Sequence, residues 1–373
     1  MATNNSSSKH IILCSNTAWY LFNFHRYTIS ALIDQGHRVT CIASYDRHAD
    51  KLENLGAKFV VLAIHGANTR MLGELSTFID VMRCFIKLRP DMVLNFTIKM
   101  NVYAGLFARM LRIPYINNIS GLGTAFIHNS AFYRLIRRLY GVANAGSYTV
   151  FFQNPDDLEE FVLNGLVSFD RARLLPGSGL NVSQFKPSPP PDAPFTFLMI
   201  ARLIADKGVR EFVNAAKIVR ARYPSTRFIL VGPGEVENKS AISRQEIGQW
   251  EQESIVEMPG AVSDVRPWLK ECHVFVLPSY REGMPRAVLE AAAMGRPAIV
   301  ADVPGCRQSI VAGQTGWLCK VRDAESLAEQ MVAVMQPEVD IAAYGARAAE
   351  RVKREFSNDI VIRAYLDCVK ALA

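Results

Sequence analysis

Short apolar runs alternate with helical periodicities along almost the whole chain, and this alternation restricts the fold more than any other feature. In the first half, residues 9–14, 38–43, 58–64, 92–96, 115–119, 148–152 and 173–175 read as strands. Ile11-Ile12-Leu13 has no polar position, as expected of a parallel strand covered by helices on both faces. Between the strands lie helical patterns. Residues 72–88 set Leu75, Phe78, Ile79, Met82, Phe85 and Ile86 on one stripe. Residues 103–111 and 131–140 read as further helices, with 97–101 as a loop. Asn154-Pro155-Asp156-Asp157 combines a cap, a proline in the first turn and two acids at the positive helix end. Strands resume at 196–200, 227–231, 255–258, 274–277 and 298–301, with helices at 209–221, 246–252, 324–335, 341–355 and 358–372. Ser188-Pro189-Pro190-Pro191-Asp192-Ala193-Pro194 separates the two runs and reads as a stiff, extended linker. Two α/β domains follow.

The strand at 274–277 leads into Ser279-Tyr280-Arg281-Glu282-Gly283-Met284-Pro285-Arg286-Ala287-Val288-Leu289-Glu290, then Ala291 to Pro297. Pro285 fits the first helical position, where its missing N–H costs nothing, and Gly295 and Pro297 stop the helix. A tight loop feeding a helix N-terminus presents backbone N–H groups and a positive dipole end to one spot, which suits a phosphate. Two carboxylates there, Glu282 and Glu290, would repel a phosphate if aimed at it. They are better suited to accept hydrogen bonds from hydroxyls beside it. Arg202 and Lys207 bracket another loop between a strand and a helix, where fixed cations would stabilise a departing diphosphate. Gly232, Gly234 and Val262 lie in two further strand-end turns.

The pattern E-G-M-P-x4-E-A-x-A-x-G-x-P resembles the signature of glycosyltransferase family 4, retaining enzymes of the GT-B fold. The segment from Arg202 to Gly208 resembles that family's R-x4-K-G element. The resemblance implies that Glu282 contacts the transferred sugar, Glu290 the nucleotide ribose, and Arg202 and Lys207 the donor diphosphate. Gly283, Met284, Pro285, Arg286, Gly232, Gly234 and Val262 would complete the donor site. Asn16 and Thr17, in the first strand–helix turn, would approach the donor from the other domain. The implied plan is a GT-B pair of Rossmann-like domains facing a cleft. Residues 1–187 would bind the acceptor, 188–194 link, 195–355 bind the nucleotide sugar, and 356–373 return a helix to the first domain. No Asp-x-Asp motif occurs, so no metal site and no cofactor are expected beyond a UDP-sugar as donor substrate.

Charge separates the halves. Residues 1–190 carry 19 Lys and Arg against 12 Asp and Glu, whereas 191–373 carry 23 of each. No acid lies between Asp91 and Asp156, where the mean frequency would place about six. Arg134, Arg137 and Arg138 are expected on one face of a helix, with Phe132, Leu135, Ile136 and Leu139 on the other. A basic face among aromatic residues suits an anionic membrane surface or a lipid diphosphate. Lys99, Asn101, Ser120 and Gly121 follow strands and are expected to meet the acceptor, with His128 a further candidate. These stretches resemble bacterial family members that extend sugars on polyprenyl diphosphate, including N-acetylhexosaminyltransferases, which implies a lipid-linked sugar acceptor.

No apolar run has the length of a membrane-spanning helix. Seven cysteines lack any C-x-x-C pair and read as reduced core residues. The polar opening residues carry no signal-peptide pattern, and the expected place is the cytoplasmic face of the plasma membrane. Two other readings compete with sugar transfer. One is an epimerase or hydrolase of nucleotide sugars on the same plan. It needs a proton-handling carboxylate or histidine in the cleft, and the stretch between Asp91 and Asp156 offers no carboxylate. The other is a basic nucleic-acid binder, and it has charge without a recognition motif, so no nucleic-acid partner is expected.

Overall fold

A computed structural model describes residues 8–62, 71–122, 131–192, 194–234, 236 and 238–372. The chain divides into two compact units, Met1–Gly179 with Asn358–Ala373, and Leu180–Ser357. The first unit runs β1 (His10–Thr17), α1 (Ala18–Asp34), β2 (Arg38–Ser44), α2 (Ala49–Glu53), β3 (Lys58–Val61), α3 (Met71–Leu88), β4 (Met92–Phe96), α4 (Ile98–Met110), β5 (Tyr115–Ile119), α5 (Ala131–Asn144), β6 (Thr149–Phe152), α6 (Pro155–Leu163) and β7 (Ala172–Leu174). The second runs β8 (Thr196–Ile200), α7 (Val209–Arg222), β9 (Arg227–Val231), α8 (Arg244–Glu253), β10 (Glu257–Gly260), α9 (Arg266–Glu271), β11 (Val274–Leu277), α10 (Arg286–Ala293), β12 (Ala298–Ala301), α11 (Cys306–Ser309), β13 (Gly316–Cys319), α12 (Ala324–Val334) and α13 (Ile341–Glu355). The last helix, α14 (Asn358–Ala371), belongs to the first unit.

Both sheets are parallel, with orders β3-β2-β1-β4-β5-β6-β7 and β10-β9-β8-β11-β12-β13. In each, consecutive strands first step one way and then the order reverses, between β1 and β4 and between β8 and β11. Loops leaving the carboxyl ends of those strand pairs splay apart, and this is where open α/β sheets bind ligands. The apolar strands explain the parallel arrangement. Ile11, Ile12, Leu13, Phe197, Leu198 and Phe275 are fully buried, with helices on both faces. α14 covers part of one face of the first sheet through Val361, Tyr365 and Val369, packed with α1 residues Leu21, Ile29 and Leu32.

Three expectations change. Residues 188–191, read as part of a stiff, extended linker, are held within the second unit. Arg296, fully buried, donates through its guanidinium to the Ser188 carbonyl at 2.7 Å, the Ser188 hydroxyl at 2.9 Å and the Pro189 carbonyl at 3.0 Å. It also donates to Leu269 and Lys270 carbonyls. A buried cation needs such acceptors, and the proline-rich segment supplies them. Second, α4 starts at Ile98 and not at 103, so Lys99 and Asn101 are helical. Third, Pro285 caps α10 from outside, with ψ at 101°, and Arg286 is the first helical residue.

Candidate functional site

At the β8/β11 reversal, two loops are joined. The Asp206 carbonyl accepts from the Tyr280 N–H at 2.8 Å. Gly208 adopts φ of +74°, and a Cβ there would lie 2.1 Å from the Pro278 carbonyl oxygen. Lys207 Nζ pairs with Glu282 Oε1 across the two loops. The Ser279 hydroxyl, also fully buried, lies 2.8 Å from the same carboxylate oxygen. Glu282 Oε1 thus meets Lys207 and the Ser279 hydroxyl, whose single proton is shared with the Asp206 carbonyl at 3.0 Å. Its backbone is fixed as well. Its N–H donates to the Pro304 carbonyl at 3.1 Å, and Gly305, after β12, comes so close that a Cβ would lie 2.3 Å from the Glu282 carbonyl oxygen. The side chains of Lys207 and Glu282 are only 22% and 13% exposed, so solvent screens this pair less than a surface pair.

Beneath this loop, the Tyr280 hydroxyl donates to Glu211 Oε1 at 2.8 Å, and the Arg322 guanidinium lies 4.5 Å from the ring centre. Burial first, then the Glu211 carboxylate, pushes the Tyr280 phenol up to about 12, so it stays protonated and keeps donating. Replacing Gly208 by alanine would combine a left-handed backbone penalty with a backbone overlap. We expect a loss of about 2–4 kcal/mol of stability, read from urea unfolding.

The other donor-side residues share this carboxyl edge. Arg202 follows β8 in the same loop as Lys207 and is exposed, with no carboxylate partner among the described residues. Gly232 follows β9, and a Cβ there would meet the Ala201 carbonyl oxygen at 1.8 Å, so glycine lets the first two loops touch. Gly234 is half-buried against Ile247. Val262 follows β10 and packs partly on the core. Gly283, Met284 and Pro285 lead into α10, whose Arg286 pairs with Glu290 at 2.8 Å along the helix. Sequence reasoning missed Ser279 and Gly305. Neither belongs to a periodic pattern, and their roles depend on loops far apart in the chain.

In the first unit, Asn16 and Thr17 stand at the β1/β4 reversal. Thr17 caps α1, accepting from the Tyr20 N–H, and the Asn16 side-chain oxygen accepts from the Thr97 hydroxyl at 2.8 Å. Thr97 has φ of +71°, a strained value for a β-branched residue, held just ahead of α4. Ser120 and Gly121 follow β5. Lys99 is half-buried in the first turn of α4. Asn101 does not present its amide to a ligand. It is 1% exposed, and its side chain donates to the Asn118 carbonyl at 2.7 Å and accepts from the Asn118 N–H at 3.2 Å. It belongs to a buried amide network with Asn95, Asn117 and Asn144.

On α5 the expected faces shift. Arg134, Leu135, Arg138 and Val142 are exposed, while Arg137 is half-buried and Tyr140 fully so. Leu135 therefore shares the outer face with the arginines. His128 lies outside the described residues, and for Phe132 only the helical backbone is described. Among the described residues, no three His, Cys, Asp or Glu side chains converge as metal ligands, and no helix is long and apolar enough to cross a membrane.

Comparisons with known proteins fit this architecture. Residues 10–154 match a family described as Glycosyl transferase 4-like, and residues 194–337 match Glycosyl transferases group 1. An N,N'-diacetylbacillosaminyl-diphospho-undecaprenol alpha-1,3-N-acetylgalactosaminyltransferase of Campylobacter jejuni is 28% identical over 364 residues, covering 93% of this chain and 94% of that protein. A UDP-Gal:alpha-D-GlcNAc-diphosphoundecaprenol alpha-1,3-galactosyltransferase of Escherichia coli is 33% identical over 147 residues, 39% of this chain and 38% of that one. The second match thus spans well under half of its relative. Anabaena Alr3699/HepE, solved with UDP and glucose, superposes with a TM-score of 0.79 at 17% identity, covering 97% of this chain and 99% of that one. The fold is GT-B.

Proposed function

Because this chain belongs to the group 1, family 4-like glycosyltransferases, we propose that it is a retaining, metal-independent enzyme. It moves an N-acetylhexosamine from a UDP-sugar to a sugar carried on polyprenyl diphosphate. The observation that carries this reading is the Lys207–Glu282 pair across the β8/β11 reversal, with Arg202 in the same loop. Two cations there would neutralise the charge that builds on the departing UDP, so no divalent ion is needed. Glu282, oriented by Ser279 and Lys207, would hold sugar hydroxyls, and the Arg286-paired Glu290 would take the ribose. A front-face route, in which a donor phosphate oxygen takes the acceptor proton, then needs no protein base.

The lipid-linked acceptor rests on the Campylobacter relative, whose name carries it and which aligns with nearly the whole chain. The outer face of α5, with Arg134, Arg138, Leu135 and Val142, would rest on an anionic membrane surface, its cations on headgroups and its apolar groups at the boundary. The test is a panel of UDP-sugars with polyprenyl-diphosphate-linked N,N'-diacetylbacillosamine or N-acetylglucosamine, in EDTA. We expect transfer with an unchanged anomeric configuration and no loss in EDTA. Activity that returns only with a divalent ion would refute metal independence. Donor consumption at full rate without acceptor would point instead to a hydrolase or epimerase.

A further inference from the structure

Around the N-terminus of α1, three loops of the first unit are tied together. The β1 and β4 loops are joined by the Thr97–Asn16 hydrogen bond. The β2 loop is joined by Asp46. One carboxylate oxygen accepts the Trp19 N–H at 2.7 Å, and the other accepts the His48 N–H at 2.8 Å. An acid in this place also meets the positive end of the helix. The backbone under Trp19 and Tyr45 is therefore restrained from both sides. Yet the two side chains are 47% and 62% exposed, while neighbouring Tyr20 and Phe24 turn partly inward. The Trp19 ring sits edge-on to Phe24 at 5.5 Å.

Large rings left in water on a rigid rim, at the edge where such sheets bind ligands, do nothing for the core. They offer contact area that costs little conformational entropy on binding. We propose that Trp19 and Tyr45 form an aromatic rim that packs against the C–H face of the acceptor's terminal sugar ring. A pyranose presents such a face beside its hydroxyls, and the amphipathic indole and phenol match both. The sugar is the acceptor's, because the charged groups suited to a nucleotide sugar lie in the other unit, on Arg202, Lys207, Glu282 and Glu290. This inference rests on the transfer reading above.

The test compares Trp19→Ala, Tyr45→Ala and Trp19→Phe with the parent in transfer to polyprenyl-diphosphate-linked N-acetylglucosamine. We expect acceptor KM to rise about tenfold in each alanine variant, the loss of one good aromatic contact. Trp19→Phe should recover part of it, with donor KM and melting temperature unchanged. Independently of turnover, saturation-transfer NMR with methyl N-acetylglucosaminide should show a signal that the Trp19→Ala, Tyr45→Ala double variant loses. An unchanged acceptor KM, a rise in donor KM instead, or loss of vesicle binding with an intact NMR signal would overturn the rim. Absence of transfer by the parent would count against the transfer reading, and the NMR comparison would still decide the rim.

Discussion

Glu282→Ala is expected to lower kcat by about two to three orders of magnitude, the range seen when one preorganised transition-state contact is lost. The argument lies in how the carboxylate is held. Lys207 and Ser279 both address Oε1, while Pro304 and Gly305 fix the peptide, so the side chain arrives pre-oriented. Its removal also frees Lys207, a half-buried cation that would then bind a diphosphate more readily. Donor KM should therefore stay level or fall while kcat collapses, a split that steady-state kinetics with varied UDP-sugar reads directly. Far-UV circular dichroism should be unchanged. Glu282→Gln keeps the shape but not the charge and should fall between. Turnover equal to the parent's would remove Glu282 from the chemistry.

Arg202→Ala comes second, with a loss of about 3 kcal/mol of barrier lowering, or roughly a hundredfold in kcat/KM. Arg202 is exposed and has no carboxylate partner among the described residues, so stability should move by less than about 0.5 kcal/mol. That contrast makes the variant informative, because activity and melting temperature should part company. Arg202→Lys keeps the charge but loses the planar fork that grips two phosphate oxygens, and should recover only part of the rate. A parallel loss of melting temperature and activity would mean a structural arginine instead.

Much of the second unit was legible from sequence because its signals are local. β12 falls on residues 298–301 as read, since an apolar run between a Gly-x-Pro stop and a turn has few alternatives. The motif loop could be read because its chemistry lies within a dozen residues. What failed depended on distant partners. The partner of the proline run could not be read, because nothing nearby announces that Arg296 will bury itself against it. Asn101 looked like a loop residue because polar side chains usually leave helices, yet its partner is the Asn118 backbone on β5. Leu135 looked inward because it is apolar, whereas the inner face of α5 is set by packing on α4. Ser279 was invisible because a serine after a proline has no pattern until the Glu282 carboxylate turns towards it.

α14 has a consequence for how the polypeptide matures. The helix that covers Leu21, Ile29 and Leu32 is translated only after the entire second unit. During synthesis the early segment waits with these apolar side chains uncovered until α14 emerges. Nascent molecules therefore pass through a stage at which chaperones have something to hold, and a ribosome stalled before residue 358 would leave those side chains bare.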